Sequence, residues 1–258
     1  MRMLNFAKRN FKELIRDPLS LIFEVLLPLL LLFIFQQINI PGEIYEIQNF
    51  VPGIIVFGFS FITLFTATLI AKDRDSSLLT RLGISPMKSS DFIIGYILSI
   101  IPIILLQDIL FFAMATILGL NMSINILYTI LVSMVISVLF IALGILIGSL
   151  VSEKATGGVG SIVVQLVCFT SGMYFSKDLV GDVFAKICEI LPFESSLNII
   201  KATLNNNSKL VDLKNIIIYL IYTTVILVVS IIVFKRKMTS DDWFNKRVAL
   251  WISFKRGS

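Results

Sequence analysis

The sequence predicts an all-α integral membrane protein: six transmembrane helices, an amphipathic in-plane helix before the first, a cytoplasmic helix between the second and third, and re-entrant helices on the outer side. Three observations predict it. Of 258 residues, 57% are hydrophobic and 15% charged, against about 45–50% and about 25% in soluble domains, and mean hydropathy is +0.93. Six apolar runs approach or exceed the roughly 20 residues that a span requires. The basic residues crowd beside alternate ends of those runs. Together the runs fill most of the chain, so residues 1–258 read as a single membrane domain.

The runs are 19–38, 50–71, 92–118, 124–151, 155–175 and 213–234. The first is too long for the h-region of a cleaved leader and lacks a small-residue cleavage site, so it reads as a retained span. The second contains no charged residue. The third is interrupted by Pro102 and Asp108, and a polar break at 119–123 separates it from the fourth. Six crossings place both termini on one side. Residues 1–18, 72–91, 152–154 and 235–258 hold 17 of the 22 Lys and Arg, while the opposite side holds four, all within 177–212. The positive-inside rule then puts both termini in the cytoplasm.

Before the first span, Leu4, Ala7, Phe11, Leu14 and Ile15 recur at helical spacing among Arg2, Lys8, Arg9, Lys12 and Arg16. That pattern suits a helix lying in the inner headgroup plane, and Pro18 redirects the chain into the span. Beyond Phe234, Lys235-Arg236-Lys237 is followed by Trp243, Phe244, Val248 and Trp251 at helical spacing, which reads as a second in-plane anchor. The outer loop 177–212 reads as an amphipathic helix closed by Pro192, with a polar turn at Asn205-Asn206-Asn207.

With no His, a His-based metal site and a Ser-His triad are both excluded. Cys168 and Cys188 lie outside any metal-type spacing and read as two unpaired thiols. The net charge of +5 sits next to apolar runs, which points to lipid headgroups rather than nucleic acid. No G-x-x-x-x-G-K-[ST] phosphate loop occurs, and the nearest cluster, Gly157-Gly158-Val159-Gly160-Ser161, lacks the lysine that reaches the phosphates. Small residues there read as a close helix contact. No Lys or Arg lies inside a span to activate a buried serine, so an intramembrane enzyme is disfavoured. A transport component and a non-transporting immunity or sensor partner remain.

The charged segment from Asp73 carries the most information. Read as a helix over 73–82, it gathers Leu78, Leu79 and Leu82 on one side. Asp73, Arg74, Asp75 and Arg81 are left for solvent or a protein partner, and Gly83 and Pro86 end it. Asp73 and Asp75 then fall at a helix N-terminus, where negative charge is favoured. Inside the spans, Asp108 with its neighbour Gln107, and Gln165 in the fifth, are candidates for a substrate path, with a structural hydrogen bond as the alternative. Glu24, near the inner end of the first span, reads as an ion pair with Arg16 or the headgroups.

Four segments in order resemble the permease subunit of type 2 ATP-binding-cassette (ABC) exporters. They are Arg9 through Arg16-Asp17-Pro18; Asp73-Arg74-Asp75 with Leu79 and Ser85-Pro86; Ser171-Gly172 with Tyr174 and Phe175; and Leu191-Pro192-Phe193 before a short amphipathic helix. The sequence departs from the family pattern at Ser77 and Thr80, in the missing proline after Ser171-Gly172, and in its longer tail. The resemblance implies that segment 73–86 is a coupling helix seated on two separate ATPase subunits, which bind ATP and Mg. It also implies that the chain pairs with itself or a sister permease, and that it is not an enzyme on its own. Export of a drug, antimicrobial peptide, lipid or lipid-linked molecule is then expected, in the cell membrane of a prokaryote.

Overall fold

The computed structural model describes residues 2–38, 40–76, 89–174, 181–206 and 212–256, with side chains described there except at 2, 19, 20, 89 and 238–256. Every regular element among them is helical. In order they are α1 (Arg2–Ile15), α2 (Pro18–Leu21), a π turn (Ile22–Leu26), α3 (Leu27–Gln37), a 3₁₀ turn (Glu43–Tyr45), α4 (Ile47–Asp75), α5 (Ser89–Ile117), α6 (Ile124–Leu150), α7 (Glu153–Thr170), α8 (Asp182–Ile190), α9 (Pro192–Leu204) and α10 (Leu213–Arg256).

By length and composition, four helices among the described residues are able to cross a bilayer: Ile47–Asp75, Ser90–Ile117, Ile124–Leu150 and Leu213–Lys237. The expected first span is apolar but shorter among the described residues, at Ile22–Gln37, and its first turn, Ile22–Leu26, is a π break. Pro28 explains the break: it has no N–H to offer the carbonyl of Glu24 four residues back, so the turn before it widens. The expected fifth span, α7, has 18 residues and opens on Glu153, Lys154 and the glycine cluster, which lowers its hydropathy.

α4 is the central post, with 89% of its most apolar window buried against other helices. α6 and α7 pack along it most extensively, and α3, α5 and α9 close the remaining sides. α10 lies outside α6, with the corresponding window only 17% buried. Its Tyr219 hydroxyl donates to the Val135 carbonyl of α6 at 2.8 Å. Exposed Leu220, Ile221, Val225 and Val228 on α10, with Leu105, Leu106 and Ile109 on α5, form an apolar exterior, the reverse of a soluble protein's surface.

Glycines set the closest contacts. A Cβ on Gly148 of α6 would stand 2.5 Å from the Ala67 carbonyl oxygen, and one on Gly144 would stand 2.4 Å from the Thr66 Cβ. The two form a G-x-x-x-G pair facing α4. Gly148→Leu is therefore expected to force the helices apart and lower the stability of the purified protein by about 1–3 kcal/mol. Gly157→Ala, where the added carbon meets nothing within 4 Å, changes it by less than about 0.5 kcal/mol. Thermal unfolding in detergent reads both.

Several expectations are corrected here. α1 buries Phe6, Ala7, Asn10 and Leu14 against its neighbours and leaves Leu4 and Ile15 exposed, so its packed face is rotated from the expected stripe. The cause is α5: Gly95 admits Phe6, whose ring meets Phe92 and Tyr96 edge-on at 5.3 and 5.0 Å. Pro102 lies inside α5 without breaking it. Pro192 does not merely end a helix; it is the first residue of α9, a position that needs no backbone donor. α10 runs through Phe234 as one 44-residue helix, having no Gly or Pro to stop it, so no separate anchor begins there. Cys168 and Cys188 are not joined by a disulfide, which leaves the expectation of two separate thiols unaltered. Gly157 and Gly158 face open space, and only Gly160 of that cluster approaches α4, at Leu64.

Candidate functional site

Call the end of the bundle that carries α1 the basic end. There the last turn of α4 presents Asp73, Arg74 and Asp75 in succession, and each reaches a different helix. The Asp73 carboxylate accepts two hydrogen bonds from Arg9 Nη1 of α1, at 2.8 and 2.9 Å, and one from the Tyr96 hydroxyl of α5 at 2.8 Å. Its side chain is 1% exposed, whereas that of Arg9 is 38% exposed. Arg74 turns the other way. Its Nη1 donates to the carbonyls of Gly148 and Ser149 at 3.2 and 2.6 Å, and its Nη2 to that of Val151 at 2.8 Å. Those oxygens belong to the C-terminal turn of α6 and the residue after it, where carbonyls lack helical partners and a cation is favoured. Asp75 accepts the Glu153 backbone N–H at 3.1 Å, satisfying one open donor in the first turn of α7.

Three consecutive side chains thus tie α4 to α1, α5, α6 and α7. The geometry follows from helix periodicity, since residues about 100° apart around an axis face different neighbours. Arg9 also pairs with Glu13 at 2.5 Å, and Glu13 with Lys72 at 3.0 Å, so the node extends back into α1. The last turn of α4 is held to four helices through charge-assisted bonds rather than through one apolar contact.

The expected placement of these residues is corrected in two respects. Asp73 and Asp75 stand at the C-terminus of a long helix, not at the N-terminus of a short one. The unfavourable dipole is offset by Arg9, Lys72 and Arg74. Asp73 and Arg74 are turned into the protein, leaving Asp75 as the exposed member. Leu78, Leu79, Arg81 and Pro86 lie outside the described residues. Of the other motif residues, Arg16 and Asp17 form the turn after α1, and Pro18 opens α2. Ser171 is buried at the end of α7. Gly172 follows with φ +79°, a left-handed residue that only glycine adopts freely, and it stops the helix.

Behind the node, toward the far end, a cavity of about 440 Å³ lies between α3, α4 and α7. Phe35, Tyr45, Phe57, Phe61, Phe169 and Tyr174 line it, with Gln165 and Cys168. Its far end is roofed by rings: Phe35 stacks on Tyr45 at 5.8 Å and on Phe50 at 5.1 Å. The Tyr45 hydroxyl donates to the Tyr174 carbonyl at 3.1 Å. No single helix supplies the aromatic wall, which is why no run of rings marks it in the sequence.

The three residues expected on one substrate path are separated. Gln165 is on the cavity wall, but Gln107 and Asp108 are fully buried in α5. Gln107 packs against Gly58 of α4, and its amide oxygen and nitrogen lack hydrogen-bond partners among the described residues. Asp108 accepts the Ser133 hydroxyl of α6 through Oδ2. Glu24 makes no pair with Arg16: it is 1% exposed within the π turn, and neither carboxyl oxygen has a hydrogen-bond partner among the described residues.

Sequence reading missed the partners rather than the motif. Arg9 and Tyr96 are far from Asp73 in the chain, and no local pattern connects them. Gly144 and Gly148 were missed as well, although their G-x-x-x-G spacing, a recognised close-contact signature, marks them.

The family model described as ABC-2 type transporter matches residues 3–205, from α1 to just past α9, and so takes in both the acidic-Arg-acidic node and the Ser171-Gly172 helix stop. The chain belongs to the ABC-2 type transporter family. No curated protein matches it. As an ABC-2 membrane domain it is a multi-pass permease component of an ABC transporter, and permeases of this family are not themselves catalytic and normally work with ABC ATPase subunits.

Proposed function

We propose that this ABC-2 permease is the membrane half of an ATP-driven exporter in a prokaryotic cell membrane, with its basic end in the cytoplasm. α2 to α3, a continuous run of about 30 Å at about 1.5 Å per residue, and α7 complete six spans alongside the four longer helices. The segment after Asp75 seats on the ATPase, which binds ATP and Mg. The observation that carries this reading is the node: the chain leaves α4 for that segment at the residues that bind α1, α5, α6 and α7. A push from nucleotide-driven closure then shifts α4 against α7 and changes the aromatic cavity between them. A wall of six rings with Gln165 as its polar group suits an amphipathic cargo with an aromatic or acyl part, in the size range of small-molecule sites. The test is capture: the tagged chain, solubilised in mild detergent, is expected to bring down an ATPase subunit with vanadate-sensitive activity. Capture without any ATPase, from cells that express both, contradicts the reading.

A second copy or a sister permease covers the outward face of α7. Gly158, Ser161 and Ile162 are exposed there, and small residues on a helix face let a second helix approach closely. With Cys168 and Cys188 replaced by serine, Ile162→Cys is expected to cross-link a dimer under copper-phenanthroline in membranes, while Val229→Cys on the outer face of α10 stays monomeric. The reverse pattern rejects this interface.

A further inference from the structure

A second cavity, about 860 Å³, opens at the basic end between α1 and the last turn of α4. Lys8, Arg9, Lys12, Arg16 and Lys72 line it, opposed by Glu13 and Asp17. Glu13 is already shared between Arg9 and Lys72, and Asp17 also has a partner. Lys8, Lys12 and Arg16 make no ion pair among the described residues. The cavity therefore carries excess positive charge, five cations against two carboxylates.

The geometry points to a site for the phosphodiester headgroup of an anionic phospholipid, held by Lys8, Lys12 and Arg16. Its surroundings identify the occupant. Along the outward face of α1, exposed Leu4 and Ile15 bracket Lys8 and Lys12 at helical spacing, and exposed Ile22 and Phe23 follow Arg16. Apolar and basic side chains interleaved on one face match the boundary between headgroup and acyl chain, where long cations reach the phosphates from buried stems. A free phosphate gives the apolar residues no partner. An acidic protein surface would neutralise the cations but leave the same residues in water. α1 cannot roll to hide them, because Phe6, Ala7 and Leu14 are committed to the bundle. The inference requires only that the basic end meets the membrane surface, and it is independent of the cargo moved. It has one consequence for coupling: Arg9 lines the site and also holds Asp73, so headgroup binding and the node share a residue.

The test uses the full chain in neutral maltoside micelles. Phosphatidylglycerol is titrated in and bound lipid is read by native mass spectrometry, with phosphatidylcholine and inorganic phosphate as controls. One tightly bound phosphatidylglycerol per chain is expected, with phosphatidylcholine binding far more weakly and excess phosphate failing to displace the lipid. At roughly 1 kcal/mol per cation near the surface, K8Q/K12Q/R16Q should weaken binding about a hundredfold. K186Q, on α8 at the other end of the bundle, should leave it unchanged. Should the triple variant lose its monodisperse elution, R16Q alone is expected to weaken binding about fivefold. Equal binding of the two lipids, displacement by phosphate, or wild-type affinity in the variants overturns the site. None of these results depends on whether an ATPase is captured.

Discussion

Arg74→Ala is expected to leave the permease in the membrane and bound to its ATPase, yet unable to convert hydrolysis into transport. The guanidinium satisfies three carbonyls at the end of α6 from a side chain that is only 16% exposed. Removing it strands acceptors that water reaches poorly, at about 2–4 kcal/mol, and separates α4 from α6 where the motion arrives. The purified variant should unfold several degrees lower, and transport per ATP hydrolysed should fall at least about tenfold, consistent with a loss of that size. Arg74→Lys should restore little of either, since one ammonium cannot fork across two positions as a planar guanidinium does. Wild-type transport by Arg74→Ala would show that the node only supports the fold.

Leu79→Asp with Arg81→Glu should give the opposite phenotype: a stable permease that no longer holds its ATPase. Both positions lie on the segment proposed to seat on the partner, and neither is part of the node. An aspartate at an apolar contact forfeits about 1.5–3 kcal/mol of burial, and reversing the neighbouring charge adds repulsion. Co-purified ATPase should fall more than about tenfold, with the unfolding temperature unchanged. The two variants together separate seating from transmission. If the loop variant retains its ATPase and transports normally, segment 73–86 is not the contact.

How far the sequence could be read varied with the distance over which each feature is determined. The apolar runs are local, so the ends of α4, α5 and α6 were placed to within about four residues, and α10 was placed at its start but not at its end. The Asp73-Arg74-Asp75 motif was visible too, but its surroundings were not. Hydropathy drops after Ala71, whereas the helix continues to Asp75, because hydrogen bonding along a helix is indifferent to whether its side chains are apolar. That difference of one turn moved the two acids from a helix start to a helix end. Their partners depend on packing: Arg9 is 64 residues from Asp73, and the carbonyls bound by Arg74 have no side-chain signature at all. The first span illustrates a different limit. Pro28 stands in the sequence, but a π turn and the burial of Glu24 follow only once the helix must pass a proline without losing its contacts. The aromatic wall is assembled from α3, the 3₁₀ turn, α4, α7 and the residues after it, so it exists only in the fold.

The account stands on the segment after Asp75 lying beneath the inner leaflet while α8 lies outside the cell. With Cys168 and Cys188 replaced by serine, single cysteines at Ser85 and at the exposed Val183 of α8 are treated with a membrane-impermeant maleimide. The cysteine at 183 should react in intact cells, and that at 85 only after the membrane is opened. Labelling of position 85 in intact cells would place the segment outside, where no ATPase can reach it.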